Sequence, residues 1–263
     1  MKKLNLVLCA LLISGCSWFG GDEEGEIKPA ELVKFEQQVK IKKQWSAKVG
    51  GGNKKFWASL RPAANRDSVF VADHEGKVSA IDLATGKRRW STELDAPLSG
   101  GVGYAAGQIM VGSIEGDVYA LNAADGSLSW TAKVSSEILA SPQGNGDVIA
   151  VQTIDNKLFV FEAGSGEPLW QHEDDAPLLT VRGTSLALVT DRMILAGFDS
   201  GKFVAFNPEK GSLIWESRLE PPKGRTDLER MVDIDGEPLL VDDVISALTY
   251  QGPQGPMSIA TAQ

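Results

Sequence analysis

The sequence contains few of the residues that usually build catalytic or metal sites. Its 263 residues include two cysteines and two histidines, and zinc sites, catalytic triads and disulfide networks depend on those residues. Lys and Arg total 26 against 35 Asp and Glu, a net charge of −9, which argues against a nucleic-acid partner. With 43% hydrophobic residues, the composition predicts a globular protein that is not an enzyme and has no metal or cofactor.

Long hydrophobic runs are also scarce, and the apolar run near the N-terminus is short. Leu4 to Ile13 follows a basic start. It is too short to cross a bilayer as a helix and is typical of a signal peptide. The run ends in Ile13-Ser14-Gly15-Cys16, which resembles the bacterial lipobox. That resemblance implies a signal peptide over residues 1–15 and lipidation of Cys16, and Ser17 implies sorting to the outer membrane. The alternative is an ordinary secretory signal with a chance cysteine.

Glycine and tryptophan, in contrast, occur in a repeated pattern. A 17-residue segment recurs four times, starting at residues 74, 114, 154 and 199, and each copy has a glycine four residues before its terminal tryptophan. A repeat of about 40–45 residues with fixed Gly and Trp positions is typical of a β-propeller blade. The copies are His74–Trp90, Ile114–Trp130, Ile154–Trp170 and Asp199–Trp215.

Each copy predicts a strand, a turn and a second strand. Polar and apolar residues alternate before the turn, the glycine accepts a positive φ in the turn, and the tryptophan fills the wedge between neighbouring sheets. A further apolar strand precedes each copy. The pattern predicts blades at Phe56–Leu94, Leu98–Val134, Ile138–Glu173 and Ser185–Leu219. Both histidines are predicted to lie on the surface.

The two ends of the chain depart from the repeat. Residues 16–40 are predicted to be a flexible acidic tether. Ile41–Val49 aligns by its tryptophan with the last strand of a blade, so it is predicted to complete the last blade of a ring. A fifth repeat begins at Val244, but the tail 253–263 contains Pro253 and Pro256, which do not suit a central strand. The partial propeller is therefore assigned to residues 41–252.

Two connections between blades are unusually long, and loops of this length are often functional. They cover Gln171–Ser185 and Glu220–Pro238. In the second, Thr226 and Glu229 have the spacing of a capping box and predict a helical start.

The lipobox, the tether, the Trp-marked blades and the segments Pro177–Gly183 and Asp227–Pro238 together resemble the BamB family, the propeller lipoproteins of the outer-membrane β-barrel assembly machinery. The resemblance implies an eight-bladed ring, of which this sequence supplies about four and a half blades. We expect a truncated, open arc that is prone to aggregation; a closed five-bladed ring is the alternative. The resemblance also implies a scaffold, anchored to the membrane by lipid, that binds the periplasmic POTRA region of BamA and guides unfolded barrel precursors by edge pairing. The positions matched to the BamA-binding surface are Leu179, Val181, Arg182, Asp233 and Asp235.

Other interpretations stay open at this point. Arg182, Asp233 and Asp235 could form an internal salt bridge that shapes the loops, and this role is compatible with partner binding. Ala80–Trp90 also resembles the docking motif of quinoprotein (PQQ-dependent) dehydrogenases, but a mature chain with one cysteine lacks the cysteine pair that those enzymes use. A generic periplasmic propeller with another partner is the third alternative.

Overall fold

The structure is a computed structural model that describes residues 33, 36, 38–51, 58–241, 244–250 and 255–258. The predicted signal peptide, Cys16, the start of the first blade at Phe56 and most of the C-terminal tail lie outside the described residues. The chain divides into two units, residues 1–43 and 44–263. The described part of the first unit has no helix or strand, and its hydrophobic residues Val33, Val39 and Ile41 are exposed.

The regular elements of the second unit are almost all β-strands. One short 3-10 helix, Leu228–Arg230, is the exception among the described residues. In chain order the strands are β1 (Ser59–Leu60), β2 (Ala63–Ala64), β3 (Ser68–Ala72), β4 (Lys77–Asp82), β5 (Arg88–Glu93), β6 (Leu98–Ala105), β7 (Gln108–Ser113), β8 (Asp117–Asn122), β9 (Leu128–Lys133), β10 (Gln143–Gly144), β11 (Val148–Thr153), β12 (Lys157–Glu162), β13 (Pro168–Glu173), β14 (Leu188–Val189), β15 (Ile194–Gly197), β16 (Lys202–Phe206), β17 (Leu213–Arg218), β18 (Leu239–Val241), β19 (Val244–Ala247) and β20 (Gly255–Ser258).

These strands form five sheets that follow one another along the chain. Blade 1 is β2-β3-β4-β5, blade 2 is β6-β7-β8-β9 with β1 added beside β6, blade 3 is β10 to β13, blade 4 is β14 to β17, and blade 5 is β18-β19-β20. Neighbouring strands within each blade are antiparallel, whereas β1 pairs in parallel with β6. The predicted all-β architecture of repeated four-stranded propeller blades is confirmed.

The sequence pattern of each strand matches its place in a blade. The second strands β7, β11 and β15 are almost wholly buried, because apolar side chains cover both of their faces. The last strands β9, β13 and β17 alternate exposed and covered residues. Each last strand places its tryptophan opposite a small or β-branched residue of the preceding strand.

In blades 1 to 4, the turn between the third and fourth strands receives a tryptophan from earlier in the chain: Trp45 for blade 1, and the tryptophan of the preceding blade for the others. The indole Nε1–H donates to the carbonyl three residues before the turn glycine, and that glycine has a φ between 65° and 75°. A Cβ on any of these glycines would lie no more than 2.7 Å from the indole ring, so a larger residue does not fit. The four hydrogen bonds are Trp45 to Leu83 (2.8 Å), Trp90 to Ala123 (3.0 Å), Trp130 to Ala163 (2.9 Å) and Trp170 to Pro208 (2.7 Å).

Trp215 in β17 occupies the fifth position of this series and differs from the other four. Its Nε1 is buried without a hydrogen-bond partner in the described part of the chain. The indole still packs near Phe203 of the same blade, with 6.2 Å between ring centroids. The docking interaction therefore runs from Trp45 through blade 4 and is not repeated at Trp215.

Four apolar clusters lie between successive blades and form the core. They join blades 1 and 2, 2 and 3, 3 and 4, and 4 and 5. No such cluster joins blades 1 and 5 among the described residues. Arg61, which follows β1, forms an exposed ion pair of 2.9 Å with Glu237 just before blade 5.

Three details differ from the expectations. No strand is assigned to residues 41–49, since none of the described strands pairs with them, although Trp45 docks as its alignment predicts. β20 lies within the predicted aberrant tail and pairs with β19 at the edge of blade 5, a position where Pro256 is tolerated because an edge strand needs fewer ladder donors. His74 is buried, with Nδ1 2.8 Å from the Leu98 carbonyl, so the prediction of a surface histidine is wrong.

Candidate functional site

Two long loops form the least regular part of the propeller. Loop A, residues 174–187, joins β13 to β14, and loop B, residues 219–238, joins β17 to β18. Loop B contains the predicted capping box: Glu229 N–H donates to Thr226 Oγ1 at 3.2 Å, and Glu229 Oε2 accepts from Thr226 N–H at 3.1 Å. This reciprocal pair begins the 3-10 helix and gives loop B a defined shape.

The two loops pack against each other, and several of the predicted partner-binding residues make the contacts. Asp233 of loop B accepts a hydrogen bond from the backbone N–H of Val181 in loop A. The Asp235 carboxylate packs against Gly183, where an added Cβ would lie 2.6 Å from Asp235 Cγ. Ser185 Oγ also donates to the Gly236 carbonyl at 3.2 Å. The structure thus brings loop A and loop B together at three points in succession along the two segments.

Arg182 lies between two of these contacts and forms an ion pair with a residue from a third segment. Its Nη2 is 2.7 Å and 2.8 Å from the two carboxylate oxygens of Glu137, in the connection between β9 and β10. Arg182 therefore makes an internal salt bridge, but with Glu137; the suggested bridge of Arg182 with Asp233 and Asp235 stays a prediction. We did not single out Glu137 from the sequence. A signal was available in the comparison of the repeats. Glu137 immediately precedes blade 3, and the equivalent residue before blade 2 is Pro97, so a charged residue replaces an uncharged one at this position.

The five predicted residues divide into surface residues and supporting residues. Leu179 is 42% exposed and half of the Arg182 side chain is exposed, so both can reach a partner. Val181 and Asp235 are partly buried, and Asp233 is only 1% exposed. Leu178, which was not among the predicted partner-binding residues, is 91% exposed. Arginine is enriched at binding hot spots, and the two exposed leucines beside Arg182 offer apolar contact area next to it.

A groove of about 400 Å³ lies between loop A and loop B. Its apolar lining includes Pro177, Leu178 and Leu179 from loop A and Pro222 and Val232 from loop B. The groove places the exposed leucines beside a concave surface, which is a suitable shape for an apolar side chain of a partner.

Several aspartate side chains lie close together in and beside the two loops. Burial, with the charges of Asp233 and Asp235 as the next cause, raises the pKa of Asp199 to about 7. Burial raises the pKa of Asp235 to about 6 and also raises the pKa of Asp233. One oxygen each of Asp233 and Asp235 is buried without a hydrogen-bond partner. Nearby Asp174 is instead paired with Lys202 Nζ at 2.6 Å.

The described residues contain no group of three or more His, Cys, Asp or Glu side chains that could hold a metal ion. Nor does any helix among them have the length and hydropathy to cross a membrane.

Comparison with known proteins identifies the family. A family model described as "Outer membrane protein assembly factor BamB" matches residues 31–98 and 74–263. The chain belongs to the BamB family. It is 53% identical over 251 residues to the outer membrane protein assembly factor BamB of Pseudomonas aeruginosa, an alignment that covers 95% of this chain and 65% of that protein.

Solved structures agree with this membership. The crystal structure of BamB from Moraxella catarrhalis matches with a TM-score of 0.73 and 27% identity, over 77% of this chain and 62% of that chain. A europium-containing methanol dehydrogenase also matches, with a TM-score of 0.61 and 15% identity over 79% of this chain and 51% of that chain. The second likeness shows a shared propeller fold alone. Because the BamB family consists of assembly factors, the prediction of a non-enzymatic chain is confirmed.

Proposed function

We propose that the chain is a non-catalytic scaffold for the assembly of β-barrel proteins in the outer membrane, and that it binds the periplasmic POTRA region of BamA through loops A and B. Membership of the BamB family supports the assembly role. The chain spans 65% of the length of its Pseudomonas relative, so the activity of the whole relative is part of the proposal.

The observation that carries the proposal is the packing of the two loops into one surface. Loop A exposes Leu178, Leu179 and half of the Arg182 side chain. Asp233 and Asp235 of loop B contact the backbone of loop A next to Arg182. Rigid, pre-arranged loops lose less conformational freedom on binding than flexible ones. Apolar side chains beside a guanidinium group provide buried contact area together with charge-assisted hydrogen bonds.

The test is a binding titration with the periplasmic domains of BamA from the organism that carries this chain. We expect Leu179→Asp and Arg182→Ala each to weaken binding at least about tenfold, as hot-spot substitutions do. Leu213→Asp is the matched control, because Leu213 is a 56% exposed leucine in β17, away from both loops. Binding that survives both loop substitutions would exclude this surface. A folded wild-type chain that does not bind would exclude the partner.

A second part of the proposal concerns the membrane. We propose that residues 1–15 are a signal peptide, that Cys16 carries the lipid, and that residues 16–40 tether the propeller to the periplasmic face of the outer membrane. The lipobox-like sequence before Cys16 supports this, and several acyl chains anchor a protein stably where one does not. Replacing Cys16 by Ala should abolish labelling with radioactive palmitate and move the protein to the soluble fraction. Labelling that persists in the variant would contradict the proposed anchor.

Unfolded barrel precursors are the further proposed partners. The last strands of the blades, such as β9 and β13, lie at sheet edges, and an edge strand can pair with an extended peptide. Cross-linking from an exposed position in β13, Leu169, to a newly synthesised barrel precursor should give a specific adduct. Failure to capture any precursor from this edge would contradict the pairing.

A further inference from the structure

Three consecutive residues of loop A are each held by a different carboxylate. Val181 donates its N–H to Asp233, Arg182 pairs with Glu137, and Gly183 packs against Asp235. Asp233 and Asp235 belong to loop B, so their contacts join one loop to another. Glu137 differs, because it lies in the connection between blades 2 and 3.

We propose that Glu137 is a positioning residue for partner binding: by holding Arg182, it fixes loop A in the arrangement that the partner recognises. The proposal deepens the function proposed above and rests on it. Glu137 itself is buried, with 8% of its side chain exposed, against 49% for Arg182. A partner can therefore reach Arg182 but not the carboxylate behind it.

The backbone around Glu137 is firmly anchored. The Glu137 carbonyl accepts from Ile154 N–H at 3.0 Å, and the next residue, Ile138, is fully buried in the cluster between blades 2 and 3. Ser99 Oγ donates to the Ile138 carbonyl at 2.8 Å. The Glu137 carboxylate is therefore attached to a well-anchored part of the propeller, so its ion pair can hold the long Arg182 side chain in one position.

The energetics favour this single arrangement of the ion pair. A buried carboxylate without a counter-charge is strongly destabilised, so Glu137 keeps Arg182 in contact. One guanidinium nitrogen donating to both carboxylate oxygens at 2.7 Å and 2.8 Å is a charge-assisted contact of short length. Without the Glu137 charge, this ion pair no longer holds Arg182, and the part of loop A next to Arg182 is less constrained.

The experiment compares Glu137→Gln, Arg182→Ala and the double variant in the full chain. Glu115→Gln is the control: it removes the same charge from an exposed turn of blade 2. Affinity for the BamA periplasmic domains is measured by calorimetry, and amide hydrogen exchange of residues 178–183 is measured in the free protein. We expect Glu137→Gln to weaken binding about tenfold and to speed exchange in this segment, while Glu115→Gln changes neither.

The double variant separates positioning from a general loss of structure. If Glu137 acts through Arg182, then Glu137→Gln should have no further effect on affinity once Arg182 is alanine. An equal effect in both backgrounds would overturn the proposal, as would a Glu137→Gln variant with wild-type affinity and exchange.

Two further outcomes are also decisive. If the wild-type chain does not bind BamA, the proposed partner is wrong; unchanged exchange in Glu137→Gln would then overturn the positioning role as well, whereas faster exchange would support it. If Glu137→Gln fails to fold, Glu137→Asp replaces it, because it keeps the charge but shortens the reach by one methylene group. The same cycle is then measured with that variant.

Discussion

At the scale of single residues, the tryptophans of the repeat each carry one polar atom into an apolar interface. Trp130 places its Nε1–H 2.9 Å from the Ala163 carbonyl and is 8% exposed. Trp215 also buries its Nε1, but that atom has no partner in the described residues. The same side chain in the same strand position therefore contributes a hydrogen bond in one blade and none in another.

This difference predicts unequal effects of the same substitution. Trp130→Phe leaves the Ala163 carbonyl buried without its donor and should lower the free energy of unfolding by about 1–3 kcal/mol beyond the loss of packing. Trp215→Phe removes no hydrogen bond within the part of the chain that the structure describes, so we expect only the loss of packing. Urea unfolding of both variants measures the difference. Equal losses would show that the hydrogen bond of Trp130 adds nothing to stability.

A second prediction uses two glycines with similar backbone geometry. Gly126 has a φ of 75° and a Cβ there would lie 2.4 Å from Trp90, whereas Gly107 has a φ of 84° and nothing within 4 Å. Gly107→Ala should lower stability by about 1 kcal/mol, through the backbone conformation alone. Gly126→Ala adds a steric clash and should lower it by roughly 1–3 kcal/mol more. Similar denaturation midpoints for the two variants would contradict the docking role of Gly126.

Sequence reasoning succeeds for residues that the repeat places and fails where long-range contacts decide. The Gly–Trp spacing predicts the docked tryptophans because the same local geometry recurs in every blade. His74 lies at a position where other copies have polar or apolar residues, so the pattern does not show that Leu98 supplies its partner. Glu137 is similar: its partner Arg182 is 45 residues away, and the repeat pattern does not show that these two side chains meet.

At the scale of elements, loops A and B rest on a group of carboxylates whose protonation responds to pH. Asp199, in the turn between β15 and β16, faces Asp233 and Asp235 of loop B and Asp174, which is paired with Lys202. The strands around this group can be predicted from the alternating sequence patterns. The pairing of the two loops does not, because Val181 and Asp233 are 52 residues apart and belong to irregular segments.

The raised pKa values predict that stability falls as pH rises. The folded-state pKa of Asp199 is about 7 against an ordinary 3.8, so the folded chain binds more protons than the unfolded chain between these values. This contribution is complete below pH 3.8 and is lost as pH rises through 7. At about 1.4 kcal/mol per pKa unit, Asp199 should reduce the free energy of unfolding by about 2 kcal/mol between pH 5 and pH 7.5.

Urea unfolding at several pH values measures this slope. Asp199→Asn is the control, because the amide has a similar shape but does not titrate in this range, and its slope should be flatter. The lowered pKa of Asp82, caused first by its hydrogen bond to Arg89, acts only at acidic pH and does not affect the comparison. A wild-type slope equal to that of Asp199→Asn would show that Asp199 is ionised throughout.

At the scale of the whole molecule, stability comes from contacts between neighbouring blades. Each of the four apolar clusters contains residues of two successive blades. The only ion pair described between the first part of the chain and the start of blade 5, Arg61 with Glu237, has both side chains more than half exposed and should contribute little. In such a linear series of blades, a substitution that weakens the packing of one blade should destabilise mainly the blades next to it.

The last prediction tests this linear coupling by hydrogen exchange. Ile245 is fully buried in the cluster between blades 4 and 5, and Ile149 is fully buried in the cluster between blades 2 and 3. Replacing a buried isoleucine by alanine removes about 2–5 kcal/mol of packing. Ile245→Ala should therefore speed amide exchange in β16 and β19 and leave β8 unchanged, whereas Ile149→Ala should speed exchange in β8 and β12. If Ile245→Ala speeds exchange equally in all blades, the propeller unfolds as one cooperative unit, and the nearest-neighbour description of its stability is wrong.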